Sequence, residues 1–170
     1  AWFTQLLSRK YKVVLSETPD WLIFGNFGHE YLRYDCVRIS YTAENARPNL
    51  FKADYAFSFD YNGNPRHYRL PLYRLMFGES LLTGPRTYTS SLFRERRFCS
   101  MVVSNPHCKE RFDFFHLLSR CAPVDSGGRH LNNVGGPVQD NRTFTREHKF
   151  AVTFENASYP GYTTEKLVEA

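Results

Sequence analysis

The stretch from Phe98 to Ser119, FCSMVVSNPHCKERFDFFHLLS, decides the fold class. Residues 98–103 form an apolar run of strand length. Ser104-Asn105-Pro106 then offers a helix N-cap followed by proline at the first helical position, which predicts a helix from Pro106 onward. Phe114, Leu117, Leu118 and Cys121 fall at i, i+3, i+4 and i+7 and predict its apolar face. A strand that feeds a helix through a short turn is the repeating unit of an α/β protein with an open, largely parallel sheet.

The same junction recurs downstream. Residues 149–155 read as a strand, Pro160-Gly161 as a turn, and Thr163 as the cap of a helix from Thr164. That helix would carry Lys166 in its first turn, where the backbone dipole already makes a cation unfavourable by roughly 0.3 to 1 kcal/mol. An anion held nearby would offset the cost. Arg111 lies about two turns into the helix predicted from Pro106, so two helix starts and two cations would converge if both junctions share one sheet edge. In open α/β sheets ligands gather at the carboxyl ends of the strands, and such a pairing suits a diphosphate. The plainer alternative is a solvated arginine on an amphipathic helix.

Upstream, Trp2, Phe3, Leu6 and Leu7 recur at helical spacing, and residues 11–15, 21–24, 37–41 and 55–59 read as short strands between polar turns. The loop TAENARPN, residues 42–49, follows the third strand, and Asp60 with Asn62-Gly63-Asn64-Pro65 closes the fourth. Residues 78–97 show no periodicity and predict a linker or mobile loop, with a domain boundary near residue 96. Residues 126–136 are too glycine-rich for regular structure, and residues 144–148 predict a short helix.

Composition bounds the class. The chain has 170 residues, 42% of them hydrophobic and 23% charged, within the ordinary globular range for one domain or two small ones. No run approaches the ~18 apolar residues of a membrane span, and the first ten residues lack a signal peptide's order, which predicts a soluble chain. Cys36, Cys99, Cys108 and Cys121 form no CxxC pair and no metal-ligand spacing, which predicts reduced thiols in a cytosolic protein. The sequons at Asn141 and Asn156 matter only if the chain is secreted. The net charge is +5, and residues 86–121 hold seven Lys or Arg against three Asp or Glu, a local basic field suited to phosphate groups, nucleic acid or an anionic membrane.

Four blocks, ISYTAENARPN (39–49), MVVSNPHCKERFDFFHLLS (101–119), VDSGGRHLNN (124–133) and FAVTFENASYPGYTTEKLVEA (150–170), closely resemble the α-1,3-fucosyltransferases, family 10 of the glycosyltransferases, in the right order. The chain departs from the family pattern at Ala157, usually Ser, at Thr163, usually Val or Ile, and at Ala43, where Gly often precedes Glu-Asn. The resemblance implies a GT-B architecture of two Rossmann-like domains. Residues 1–96 would be the acceptor side with its linker and residues 97–170 the GDP-fucose-binding side, the second incomplete because family members continue beyond TEKLVEA.

It further implies inverting transfer of L-fucose from GDP-fucose to a hydroxyl of an N-acetylglucosamine-containing glycan, with N-acetyllactosamine-type acceptors. No cofactor is obligatory and no metal site is expected, a divalent cation at most stimulating turnover. No nucleic acid is implied. The implied location is cytoplasmic with peripheral membrane association, or the Golgi lumen for a eukaryotic parent. By position, Glu44 resembles the general base, Arg111 and Lys166 the diphosphate clamp, Glu165 a contact to fucose or the donor ribose, and Asn156 and Tyr162 the lining of the nucleotide pocket. The residue types suit that chemistry, because loss of GDP from an anomeric carbon builds charge on the leaving diphosphate, which preorganised cations must meet. One carboxylate on the opposite face suffices for inversion.

Rival readings are a truncated, non-catalytic nucleotide- or glycan-binding fragment, a glycosyltransferase with another donor sugar, and a nucleic-acid binder. The last is disfavoured because the aromatic residues fall at core spacing and not on an interleaved basic face.

Overall fold

The computed structural model describes residues 2–77 and 90–169. Its contacts divide the chain into two units: Ala1–Ser58 with Asn62–Tyr68, and Phe59–Tyr61 with Arg69–Ala170.

In the first unit, helix α1 (Trp2–Ser8) precedes strands β1 (Trp21–Phe24), β2 (Val37–Tyr41), β3 (Tyr55–Ser58) and β4 (His67–Arg69), which form a sheet in that order. The β1–β2 and β2–β3 pairs are parallel. Seven residues are too few for a helix to stand on propensity alone, so α1 depends on packing. Phe3 meets Tyr41 edge-on at 5.4 Å and stacks on Phe57 at 6.4 Å. Ile39, Ala53 and Ala56 are buried, and burial pushes the Tyr41 phenol up to about 12.

In the second unit, α2 (Leu72–Phe77) and α3 (Ser90–Glu95) precede β5 (Arg97–Met101), α4 (Lys109–Ser119), β6 (Val124–Ser126), α5 (Asn141–Arg146), β7 (His148–Val152) and α6 (Lys166–Glu169). The strands are parallel in the order β6-β5-β7. Central β5 buries Cys99, Ser100 and Met101, successive residues that point to opposite faces, so both of its faces are covered. Cys99, Met101, Val103, Val124 and Phe115 of α4 form the core, with Phe98, Phe112, Leu118, Leu131, Val152 and Phe154 packed around it. Desolvation raises the buried Cys99 thiol above its usual range, and the charge of Asp125 adds to the rise. At the amino end of the sheet Arg97 ion-pairs with Asp125 at 2.7 Å and with Glu147, while buried His148 bonds Asp125 at 2.9 Å and the Phe144 carbonyl at 2.8 Å. Asp140 caps α5; the Thr143 hydroxyl and then the Arg142 N–H hold its carboxyl below the usual range.

Several expectations shift. Helix α4 begins at Lys109 and not at Pro106, because the Asn105 side chain accepts the His107 N–H at 2.9 Å, a local turn that competes with helix. Its inward stripe is buried Arg111 and Phe115 with half-buried Phe112 and Leu118, whereas Phe114 and Leu117 are 40% and 61% exposed. The helical period is right and its phase is off by one residue. Residues 11–15 are not a strand; Val14 and Leu15 are 72% and 83% exposed, and the sheet begins at β1, so no ladder partner supports them among the described residues. The helix expected at 144–148 lies at Asn141–Arg146, and that expected from Thr164 begins at Lys166. Of the expected loop at 78–97, residues 78–89 lie outside the described residues, Ser90–Glu95 is helical and Arg97 opens β5. Strands β4 and β6, helix α2 and the 3-10 turn Glu30–Arg33 were not legible as elements. No described helix is long and apolar enough to cross a membrane.

The glycine-rich segment has a packing reason. The chain turns after β6 and folds back over the end of β5, where the His130 and Leu131 N–H groups donate to the Val103 carbonyl at 3.1 and 3.2 Å. A Cβ on Gly128 would lie 1.9 Å from the Val103 oxygen, a backbone atom with nowhere to go. Asn133 fixes the return, accepting the Ser126 N–H at 2.6 Å and donating to the Val124 carbonyl at 2.8 Å. Gly128→Ala is expected to lower unfolding stability by about 1 to 3 kcal/mol or more, the usual cost of overpacking, read from denaturant midpoints. Gly135→Ala, where a Cβ meets nothing within 4 Å, should cost only the strain of its positive φ.

Candidate functional site

A pocket of about 300 Å³ opens at the carboxyl ends of β5 and β7, the edge where a parallel sheet presents its loops. Among its lining residues are Arg111, Asn156, Glu165 and Lys166, so four of the expected site residues share one cavity.

Arg111 is the third residue of α4, in its first turn and not two turns in, and is 4% exposed. Its guanidinium has uncharged acceptors: Nη2 donates to Asn156 Oδ1 at 3.2 Å and to the Glu155 carbonyl at 3.4 Å, and Nη1 to the Asn105 carbonyl at 3.5 Å. Nε is buried without a partner. No carboxylate pairs with Arg111 among the described residues. Burying a cation without a counter-charge costs several kcal/mol, so this arrangement favours an incoming anion.

Lys166 is differently placed. It opens α6, and the anion that the sequence suggested for it is supplied within the protein: Nζ lies 3.1 Å from Glu165 Oε1 and 3.8 Å from Glu155 Oε2, and donates to Thr164 Oγ1 at 3.1 Å. Glu165 Oε2 is buried without a partner and is a free acceptor beside the two cations.

The structure does not bring every expected residue here. Tyr162 is buried against Phe59, ring centroids 4.8 Å apart, and does not line the pocket. Glu44 belongs to the first unit, exposed in the loop after β2, where its N–H donates to Thr42 Oγ1 at 3.1 Å. Sequence reasoning missed Thr164, 3% exposed, and the Glu155 carboxylate that binds it. It also missed a second cavity of about 370 Å³, lined by Ser104, Arg129, Asp140, Arg142 and Glu169 among others. The Gly-Gly-Arg sequence at 127–129 was the available signal for it. No group of three or more His, Cys, Asp or Glu side chains among the described residues is placed to hold a metal ion.

A buried arginine with no carboxylate partner among the described residues shares a pocket with a lysine at the carboxyl edge of a parallel sheet, an arrangement of an α/β protein suited to an anionic ligand. Comparison with known proteins narrows this. A family model for the alpha-(1,3)-fucosyltransferase FucT N-terminal domain matches residues 1–76, and one for the C-terminal part of glycosyltransferase family 10 (fucosyltransferase) matches residues 93–170. The chain is 32% identical over 97% of its length to alpha-(1,3)-fucosyltransferase FucT of Helicobacter pylori. It superposes on a crystal structure of an alpha1,3-fucosyltransferase with a TM-score of 0.79 at 28% identity, and on the same kind of enzyme crystallised with GDP-fucose at 0.76 and 27%, covering 98% of this chain each time. The chain spans 43% of the H. pylori relative and 58–59% of those solved chains. It belongs to glycosyltransferase family 10, the fucosyltransferases, and its α/β fold is of the GT-B type.

If Arg111 is the unmet charge of the pocket, inorganic diphosphate should raise the melting temperature above a chloride control of equal ionic strength. A hundredfold excess over Kd corresponds to about 2.7 kcal/mol. Arg111→Met should abolish the shift; an equal shift in the variant would place the anion elsewhere.

Proposed function

We propose that this chain is part of an α-1,3-fucosyltransferase that moves L-fucose from GDP-fucose to a hydroxyl of an N-acetylglucosamine-containing glycan with inversion at the anomeric carbon. The observation that carries the reading is Arg111: a buried guanidinium with neutral partners, in one pocket with Lys166. The relatives support it, one by its name and one by its crystallisation with GDP-fucose. Under this reading residues 97–170 hold the donor and residues 1–96 face the acceptor.

The chemistry follows from the residue types. The acceptor oxygen attacks the anomeric carbon, its proton passes to the Glu44 carboxylate, and the bond from that carbon to the β-phosphate oxygen breaks. GDP leaves with an added negative charge, which Arg111 and Lys166 stabilise. As a diphosphate arrives, Lys166 exchanges part of its pairing with Glu155 and Glu165 for phosphate oxygen. Glu165 Oε2, buried and unpartnered, would then accept from a hydroxyl of the donor. Asn156 lies between the cations and holds Arg111 in position. Tyr162 supports the donor loop from behind, through its contact with Phe59. Two protein cations suffice for the leaving group, so a divalent metal is at most a stimulant.

Calorimetry on the intact protein tests the donor: GDP and GDP-fucose should bind more tightly than UDP or ADP counterparts. Equal affinity for UDP-sugars would remove the assignment. Lys166→Ala and Arg111→Ala should each lower turnover more than donor affinity, by roughly 10-fold or more for a lost charge-assisted contact. Glu44→Gln keeps size but cannot take a proton, so it should lower turnover by ~10² to 10⁴ with GDP-fucose affinity nearly unchanged. Wild-type turnover in that variant would move the base elsewhere, Asp60 being the next candidate.

A further inference from the structure

Glu155 is the last residue before the loop that leads to Lys166, and it touches the machinery of both cations. Its backbone carbonyl accepts from Arg111 Nη2 at 3.4 Å, and the neighbouring Asn156 Oδ1 accepts from the same nitrogen at 3.2 Å. Its side chain reaches the far end of the loop. Thr164 donates its N–H to Glu155 Oε1 and its hydroxyl to Oε2, both at 2.7 Å. Thr164 Oγ1 in turn accepts from Lys166 Nζ at 3.1 Å, and Lys166 Nζ lies 3.8 Å from Glu155 Oε2. One residue therefore fixes Arg111 through its main chain and Lys166 through its carboxylate.

We propose that Glu155 is a positioning residue for this pocket: a carboxylate latch that closes the loop at residues 156–163 and sets the arginine and the lysine on one volume. The inference rests on reading that volume as the diphosphate site. The loop does not close by regular structure, since residues 153–155 and 162–164 have no helix or strand assignment. One other anchor is a turn at Gly161, φ +84°, packed so closely that a Cβ would lie 2.7 Å from the Tyr61 ring and 2.9 Å from the Phe59 carbonyl. That contact, with the Arg69 bond to the Gly161 carbonyl at 3.4 Å and the Tyr159 and Tyr162 rings against Phe59, seats the later part of the loop, while the Glu155 bonds to Thr164 tie its two ends to each other. Both bonds to Thr164 are charge-assisted, roughly twice the strength of neutral ones. A carboxylate can accept from the N–H and the hydroxyl at once, leaving the hydroxyl oxygen's lone pair for Lys166. A carboxamide accepts with one oxygen only; its NH₂ would compete with Lys166 for Thr164 Oγ1. The Glu155 side chain is 22% exposed, so filling the core does not explain a glutamate here.

The test uses the intact protein, GDP as probe, and amide hydrogen exchange as a readout independent of activity. In Glu155→Gln and Thr164→Val, exchange across residues 156–165 should rise by about 10-fold or more while β5 and β7 amides stay as in wild type. GDP affinity should fall by roughly 10- to 100-fold, the range of a lost charge-assisted bond. Thr164→Ser, which keeps the hydroxyl, should stay within about 2-fold of wild type. Unchanged exchange in the loop, unchanged GDP affinity, or equal losses in Thr164→Val and Thr164→Ser would each overturn the latch. If Glu155→Gln does not fold, the two Thr164 variants decide the question. If wild type does not bind GDP, the donor reading fails, and the exchange of residues 156–165 still decides whether Glu155 closes the loop.

Discussion

A guanidinium taken out of water is costly unless something repays its hydration, and Arg111 is taken almost wholly out of water with carbonyl and amide oxygens as partners. Those oxygens come from three places: the turn after β5, the segment that follows β7 and the side chain of Asn156. The arginine is thus a reason for those segments to meet, and its unmet charge gives the cavity its chemistry. Lys166 complements it. Because its ammonium already has two carboxylates within 4 Å, it is the adjustable member of the pair, able to trade a protein partner for a ligand oxygen.

The sheet that carries this site is polarised. Its amino end is tied by Arg97, Asp125, Glu147 and His148, a network in which both ring nitrogens of the buried histidine have partners. Its carboxyl end is left to loops. There the chain uses glycine where backbone must lie on backbone, at Gly128 over Val103, and asparagine side chains where a turn needs hydrogen bonds that no ladder supplies. Rigidity at one edge and a polar, loop-built opposite edge is the division of labour expected of a parallel sheet that binds at its strand ends.

The glutamates divide by environment. Glu155 has its oxygens committed to Thr164, Glu165 pairs Lys166 with one oxygen and leaves the other buried and unpartnered, and Glu44 is exposed in a polar loop. One residue type serves as structural acceptor, site acceptor and candidate base because burial and neighbours differ, not the side chain.

Local pattern settled much by itself. The apolar runs at β2, β3, β5 and β7 and the helical spacing in α1 follow from residue periodicity, and the four motif blocks identified the family before any coordinates. Lys166 was legible because a cation at a helix start is locally odd, whereas Arg111, locally an ordinary helix arginine, took its site role from the family resemblance. Periodicity alone could not fix the phase of α4, since Phe112, Phe114, Phe115, Leu117 and Leu118 offer two overlapping stripes, and only the position of β5 selects Phe115 and Leu118. Nor could it reject a strand at residues 11–15, because a strand needs a partner that the sequence does not name. The bond between Glu155 and Thr164, nine residues apart, and the contact of Gly128 with Val103, twenty-five apart, depend on where distant backbone comes to rest. Such contacts have no period, so tertiary structure alone decides them.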